Sequence, residues 1–219
     1  MPRKGKKSML QTLGIVKRGN SKTEKLFRAI LESLSVDDFE NVSYQLPHEY
    51  VKKMWDTYKQ INQLDDSKSQ NNNSLNGAIF EAIIFTLLYR EDILPFYTQA
   101  KVAFVPNIVY DAILYNQEAP ICLSCKTSLR ERYKQADLEA IALKYVHRKS
   151  KTYLLSIDRK ESEGVNDKIL SGDVIGIDKV YLADDPQMDD LIAILKKSTY
   201  RKSIEVSVVE GNLIEKQQK

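Results

Sequence analysis

The stretch NIVYDAILYNQEAPICLSCKTSLRERYKQADLEAIALKYVHR, residues 107–148, changes character part-way along. NIVYDAILYN (107–116) and PICLSCK (120–126) read as β-strands separated by a turn at 117–119, and residues 129–148 read as one long helix. YTQAKVAFV (97–105) precedes them as a third strand, so the three runs form a meander. Upstream, AIFEAIIFTLLYR (78–90) is apolar nearly all round and predicts a buried central helix, with Glu81 as its only interior charge. Such a carboxylate is costly unless it is paired, protonated or metal-bound. TEKLFRAILESL (23–34) and residues 48–64 predict amphipathic helices, and DDSKSQNNNSLNG (65–77) a polar, asparagine-rich loop. Downstream, strands are expected at 152–158, 174–183 and 203–210, with a helix MDDLIAILKK (188–197) between the last two. Strands first in a meander and then separated by helices predict an α/β domain: a mixed central sheet flanked by helices.

The chain of 219 residues is long enough for one domain with its own core, and 8 glycines and 6 prolines exclude a collagen-like or Pro/Gly-rich disordered chain. No apolar run reaches the roughly 18 residues of a membrane helix. The N-terminus MPRKGKKSML leads into no signal-peptide core, so a cytoplasmic protein is expected. The net charge of +3 is unevenly spread. Residues 1–28 carry nine basic side chains against Glu24, a local +8, and the first 22 form a basic N-terminal arm. Lys126 to Lys151 holds eight basic side chains against three acidic ones, a local +5. Two basic segments in an otherwise acidic chain fit a molecule that meets a polyanion on one face, or a solvated tail and a solvated helix face.

Cys122 and Cys125 form a CxxC, but zinc needs about four ligands. There is no second CxxC, and the only histidines, His48 and His147, have no partners in sequence. At i and i+3 of a strand the two thiols point to opposite faces, so buried, unpaired thiols are expected. No phosphate-binding glycine motif is present, which leaves no support for a nucleotide cofactor.

The chemistry concentrates in Asp111, Ser124, Lys126 and Glu139. Ser124 and Lys126 share one face of their strand, while Ile121, Leu123 and Cys125 take the other. Asp111 comes from the neighbouring strand and Glu139 from the helix that follows. Two carboxylates and a lysine at the end of a sheet suit a metal-dependent phosphodiesterase. The carboxylates hold a hard cation such as Mg²⁺, and the ammonium orients or deprotonates the attacking water. Immediately beyond Lys126 come Arg130, Glu131 and Arg132. Arginine pairs bidentately with guanine and a carboxylate accepts from cytosine, so the triplet suits adjacent G·C pairs. Ser128-x-x-Glu131 also fits a helix capping box, which would leave both arginines as surface charges. Arg132, Gln135 and Glu139 share a helix face.

These residues resemble the PD-(D/E)XK nuclease superfamily, which places an Asp on one strand and acid-x-Lys on the next. The sequence departs from that pattern twice, with Tyr110 before Asp111 and Ser124 in the acidic position. The spacing Ser124-x-Lys126-x₃-Arg130-Glu131-Arg132-x₆-Glu139 is similar to that of type II restriction endonucleases that recognise sites containing CC and GG blocks. In that subgroup the missing acid has moved to the helix. The resemblance spans about residues 70–150 and implies Asp111 and Glu139 as Mg²⁺ ligands, Lys126 as catalytic, and Arg130, Glu131 and Arg132 as base readers. It further implies a helix glutamate, a role Glu81 fills, and a minor-groove glutamine, for which Gln70 stands with Asn71, Asn72 and Asn73 as neighbours. Gln135 is placed near the DNA backbone, and Met54 and Trp55 either wedge into DNA or pack a helix. The implied fold is a PD-(D/E)XK-type sheet with its catalytic and recognition core at 78–158. The implied partner is double-stranded DNA, cut at a short GC-rich palindrome by a homodimer. A non-cleaving sequence-specific DNA-binding protein, or a structure-selective repair or recombination nuclease, is the alternative.

Overall fold

A computed structural model describes residues 8–63, 73–105, 107–203 and 209–216. Its elements are α1 (Met9–Thr12), α2 (Lys22–Ser33), α3 (Pro47–Gln63), α4 (Asn73–Arg90), β1 (Phe96–Val102), β2 (Tyr110–Leu114), β3 (Ile121–Cys125), α5 (Arg132–Val146), β4 (Lys151–Ser156), α6 (Arg159–Ser171), β5 (Lys179–Leu182), α7 (Gln187–Leu195) and β6 (Val209–Ile214). The strands form one sheet in the order β5-β4-β3-β2-β1-β6. The meander β1-β2-β3 and the β1–β6 pair are antiparallel, whereas β3-β4-β5 are parallel. The expected mixed α/β sheet flanked by helices is therefore what the chain forms.

Strand alternation assigns the two faces of the sheet. Phe96, Ala112, Leu123, Cys125 and Leu155 pack with α2, α3, α4 and α7 in the larger core. Tyr97, Tyr110, Ile113 and Cys122 meet Leu143 of α5 on the opposite face, and Leu154 and Val180 meet Ala136, Ala140 and Val165 of α5 and α6. Cys122 and Cys125 are accordingly free, buried and on opposite faces. Ile79 and Phe80 before Glu81, and the eight residues from Ala82 to Tyr89 after it, are buried on α4, the helix that lies against the sheet centre. Met54 and Trp55 lie in this core, Trp55 packing on Tyr58 and Phe80 at 5.2 and 5.8 Å, so they act in helix packing and not as a DNA wedge.

Several boundaries differ from expectation. α4 begins at Asn73 rather than after Gly77, because its polar first turns have a partner: Asn76 accepts a 2.6 Å hydrogen bond from Tyr58 of α3. The N-terminal segment is not a free arm from residue 8 onward. Leu10 is fully buried, and its amide donates to Glu24 of α2. Residues 174–178 are a loop and not strand, although Val174 and Ile177 are buried. Gly176 lies so close to α5 that a Cβ there would stand 2.3 Å from the Asp137 carbonyl, while Asp137 Oδ1 accepts from the amides of Gly176 and Ile177. The last strand sits at Val209–Ile214, where Gly211 meets an irregularity in the β1 register and a Cβ would reach within 2.7 Å of the Thr98 carbonyl. Residues 204–208 of the expected strand lie outside the described residues.

Helix α6 was not among the expected elements. Asp158 caps its N-terminus by accepting from the Glu161 amide at 2.9 Å, and Gly172 ends it at φ +82. No helix among the described residues is long and apolar enough to cross a membrane.

Candidate active site

β2 and β3 run side by side, with Ala112 opposite Leu123. Asp111, one residue earlier on β2, therefore lies beside the end of β3. Its Oδ2 accepts three hydrogen bonds from that strand end: Ser124 Oγ at 3.2 Å, the Cys125 amide at 2.8 Å and Lys126 Nζ at 2.7 Å. The parity expected from sequence is what brings Ser124 and Lys126 to the same carboxylate. The Lys126 amide donates to the Leu155 carbonyl of β4, so its backbone is still part of the sheet.

α5 supplies Glu139. The Tyr110 hydroxyl donates to the Glu139 carbonyl at 3.0 Å, which ties this turn of the helix to the residue preceding Asp111. Glu139 Oε1 accepts from Gln135 Nε2 at 2.7 Å. Gln135 thus steadies Glu139 across one helical turn, on an exposed face of α5.

The electrostatics show how crowded the place is. Burial, and then the negative charge of Asp111, push the Glu81 carboxyl up to about 7, against a smaller pull from Lys126. Burial also raises Glu139, although the Gln135 hydrogen bond and the Lys126 charge oppose it. For Lys126, burial favours the neutral amine, but the charge and hydrogen bond of Asp111 outweigh it and hold the group protonated. Three carboxylates therefore share the field of one ammonium. Oxygen donors with excess negative charge suit a hard cation. Among the described residues no three or more His, Cys, Asp or Glu side chains converge as a ready-made metal cage. Asp111 and Glu139 are the carboxylates that could supply the one or two protein ligands Mg²⁺ takes, its shell being completed by water and phosphate oxygens.

Two of the comparisons, with protein-family models and with curated proteins, found no match. Among solved structures, a restriction endonuclease, PspGI, in complex with its substrate DNA superimposes with a TM-score of 0.59 at 19% identity, covering 82% of this chain and 83% of that one. The chain has the fold of a restriction endonuclease. That overlap is far wider than residues 70–150, from which the resemblance in sequence was drawn, and it takes in elements that carry no motif.

On this fold, Arg130, Glu131 and Arg132 occupy the turn into α5, all exposed. The capping box does not form. Glu131 stands at the N-cap position without a side-chain cap and pairs with Lys134 at 2.6 Å, while the Ser128 hydroxyl donates to Glu161 of α6. The helix starts at Arg132, three residues later than expected, because Leu129 is fully buried and pulls the turn against α5 and α6. Arg130 Nε lies 3.5 Å from Glu161 Oε1, with the arginine side chain 84% exposed. Gln70, Asn71 and Asn72 lie outside the described residues, and Asn73 is exposed at the start of α4. His48 has a structural partner, Asp189 of α7, at 2.6 Å.

Glu161 and Tyr110 are the residues that sequence reasoning missed. The signal for the first was present in Asp158-x-x-Glu161 and in Gly172, which together mark a helix start and stop. For Tyr110 no pattern in the sequence points to a bond with the main chain of α5.

Proposed function

We propose that the protein is a type II restriction endonuclease. It would be Mg²⁺-dependent and would hydrolyse both strands of duplex DNA at a short GC-rich palindrome, acting as a two-fold dimer with one half-site per subunit. The observation that carries this reading is the Lys126–Asp111 contact of 2.7 Å on a restriction-endonuclease fold, with the charges of Glu81 and Glu139 felt at the same place.

Asp111 and Glu139 would hold the cation, with Glu81 beside them. When bound, Mg²⁺ supplies neutralisation of the charge that develops on the scissile phosphate and makes water a better nucleophile. Lys126, kept protonated by Asp111, acts as a fixed positive charge that orients the attacking water and faces the phosphate. Ser124 and the Cys125 amide hold Asp111 in place. Gln135 and Tyr110 do the same for Glu139 and its helix turn. Arg130, Glu131 and Arg132 read bases in the major groove, and Gln70, with Asn71 to Asn73, approaches the minor groove. The basic surplus of residues 1–28 and 126–151 supplies the attraction to the DNA backbone.

Incubation with plasmid DNA, with and without Mg²⁺, followed by sequencing of the ends, tests the reading. Discrete Mg²⁺-dependent fragments that share a GC-rich palindrome are expected. A smear independent of sequence would instead favour a structure-selective nuclease, and specific retention of DNA without cutting a non-cleaving binding protein.

A further inference from the structure

We infer that Glu161 is the positioning residue of the recognition turn and thereby a determinant of sequence specificity; the specificity role rests on the function proposed above. Glu161 lies in the first turn of α6, with its amide bound to Asp158. Its Oε2 accepts from the Leu129 amide at 2.5 Å, from Ser128 Oγ at 3.1 Å and from the Arg130 amide at 3.4 Å. Its Oε1 faces the Arg130 guanidinium, with Nε at 3.5 Å. One carboxylate therefore holds the main chain up to Arg130 and also stands against that arginine's charged head.

The carboxylate is mounted on the frame and not on the turn. Asn166, farther along α6, donates to the Val180 carbonyl of β5 at 3.0 Å and accepts from the Val180 amide at 2.9 Å. Arg159 pairs with Asp185 at 2.6 Å, and Val165 is buried under α5. The position of the turn is thus referred to the parallel half of the sheet. Burial works against the charged form of Glu161, yet the hydrogen bonds from Leu129, Ser128 and Arg130 hold its carboxyl below the usual range, so it is a carboxylate at neutral pH.

The hydrogen bonds fix the turn, but the ion pair calls for a further reason. The Arg130–Glu161 ion pair is solvent-exposed on the arginine side, and such pairs add little to folding. A bidentate contact to guanine, by contrast, demands a planar fork aimed at two acceptors. A free arginine must lose rotamer freedom to make that contact. A carboxylate behind it, and a fixed main chain beneath it, reduce the loss. Glu131 and Arg132 follow directly in the chain, so the same anchor carries their register.

The test uses Glu161→Ala and Glu161→Gln in the full-length protein. Two quantities are read: amide hydrogen exchange at Leu129 and Arg130, and the ratio of kcat/KM at the preferred DNA site to that at sites with one base pair changed. Glu161→Ala should speed exchange at both amides while β3 stays protected. It should also lower the cleavage ratio about tenfold, through loss of rate at the preferred site. Glu161→Gln keeps one carbonyl acceptor, so it should restore protection of the turn but recover only part of the discrimination. Unchanged discrimination in Glu161→Ala, beside a wild-type protein that cuts one defined site, overturns this inference and leaves the nuclease intact. A wild-type protein that cuts no defined site overturns the proposed function and the specificity role with it. Unaltered exchange at Leu129 and Arg130 in Glu161→Ala removes the anchor itself, whatever the wild type does.

Discussion

Carboxylates at two places in the molecule all lose hydration in the fold, yet they shift in opposite directions. At the end of β2 and β3, Glu81 and Glu139 are pushed up, because burial adds to the charge of Asp111 and one lysine serves the whole group. Around α5 and α6, burial penalises Glu161 and Asp178 as well, yet both end below the ordinary carboxylate range. Glu161 has the donors of the turn into α5, and Asp178 has Lys144, Lys151 and the Thr152 amide. Glu81 is also buried much more deeply than Glu161, but between Glu139 and Asp178, which are buried to a similar degree, the supply of donors makes the difference. Where the fold provides enough donors, the carboxylate stays charged and anchors the segment that supplies them. Where it leaves carboxylates short, the folded state carries a cost that a bound cation would remove, and such sites tend to be functional.

The strongest way to break this comparison is at its crowded end. Lys126→Ala and Asp111→Asn should each reduce plasmid cleavage by about 10² to 10³-fold, the scale of losing one preorganised electrostatic group, while DNA retention on a gel persists. A Lys126→Ala protein that cuts at the wild-type rate would remove the active-site assignment.

Next in size is the turn. Arg130→Ala should cost about 1–3 kcal/mol of discrimination at a single base-pair position, measured as cleavage of a panel of singly substituted sites. A uniform weakening across all sequences, with a shallower salt dependence, would mean that Arg130 meets a phosphate instead.

The smallest effect is on the stability of the metal-free protein. Glu81 is raised from 4.5 to about 7 in the fold. The folded chain therefore holds this proton more tightly than the unfolded chain does. The stabilisation is complete below the unfolded value and is lost as pH rises through about 7. Glu81→Gln should flatten that fall and stabilise the metal-free protein at pH 8 by about 1–2 kcal/mol in urea melts. If the wild type shows no decline over this range, Glu81 is better compensated than its surroundings indicate.

Much of the architecture was legible because it follows short periods. The β1-β2-β3 meander, the largely apolar α4 and the opposite orientation of the two cysteines come from alternation and from long apolar runs. The boundaries that shifted did so for reasons outside any local window. Within residues 174–178, Val174 and Ile177 pack with α5 and α6, and their apolar run with Ile175 imitates a strand. Asn73 to Gly77 look like a loop by composition, yet Tyr58 gives Asn76 a partner and the helix extends through them. Met54 and Trp55 read as either wedge or packing until α4 covered them.

The site divides in the same way. By itself the sequence determined the strand parity of Ser124 and Lys126, the spacing to Arg130, Glu131, Arg132 and Glu139, and the anomaly of Glu81 on an apolar helix, since each of these is a matter of position within one element or between adjacent ones. Only the tertiary structure decided which groups satisfy one another: that Asp111 gathers the end of β3, that Gln135 serves Glu139, and that Glu161, some thirty residues beyond the turn, holds it. Hydrogen bonds between elements depend on how helices are laid across the sheet, and that placement is set by the burial of whole faces, which no local spacing encodes.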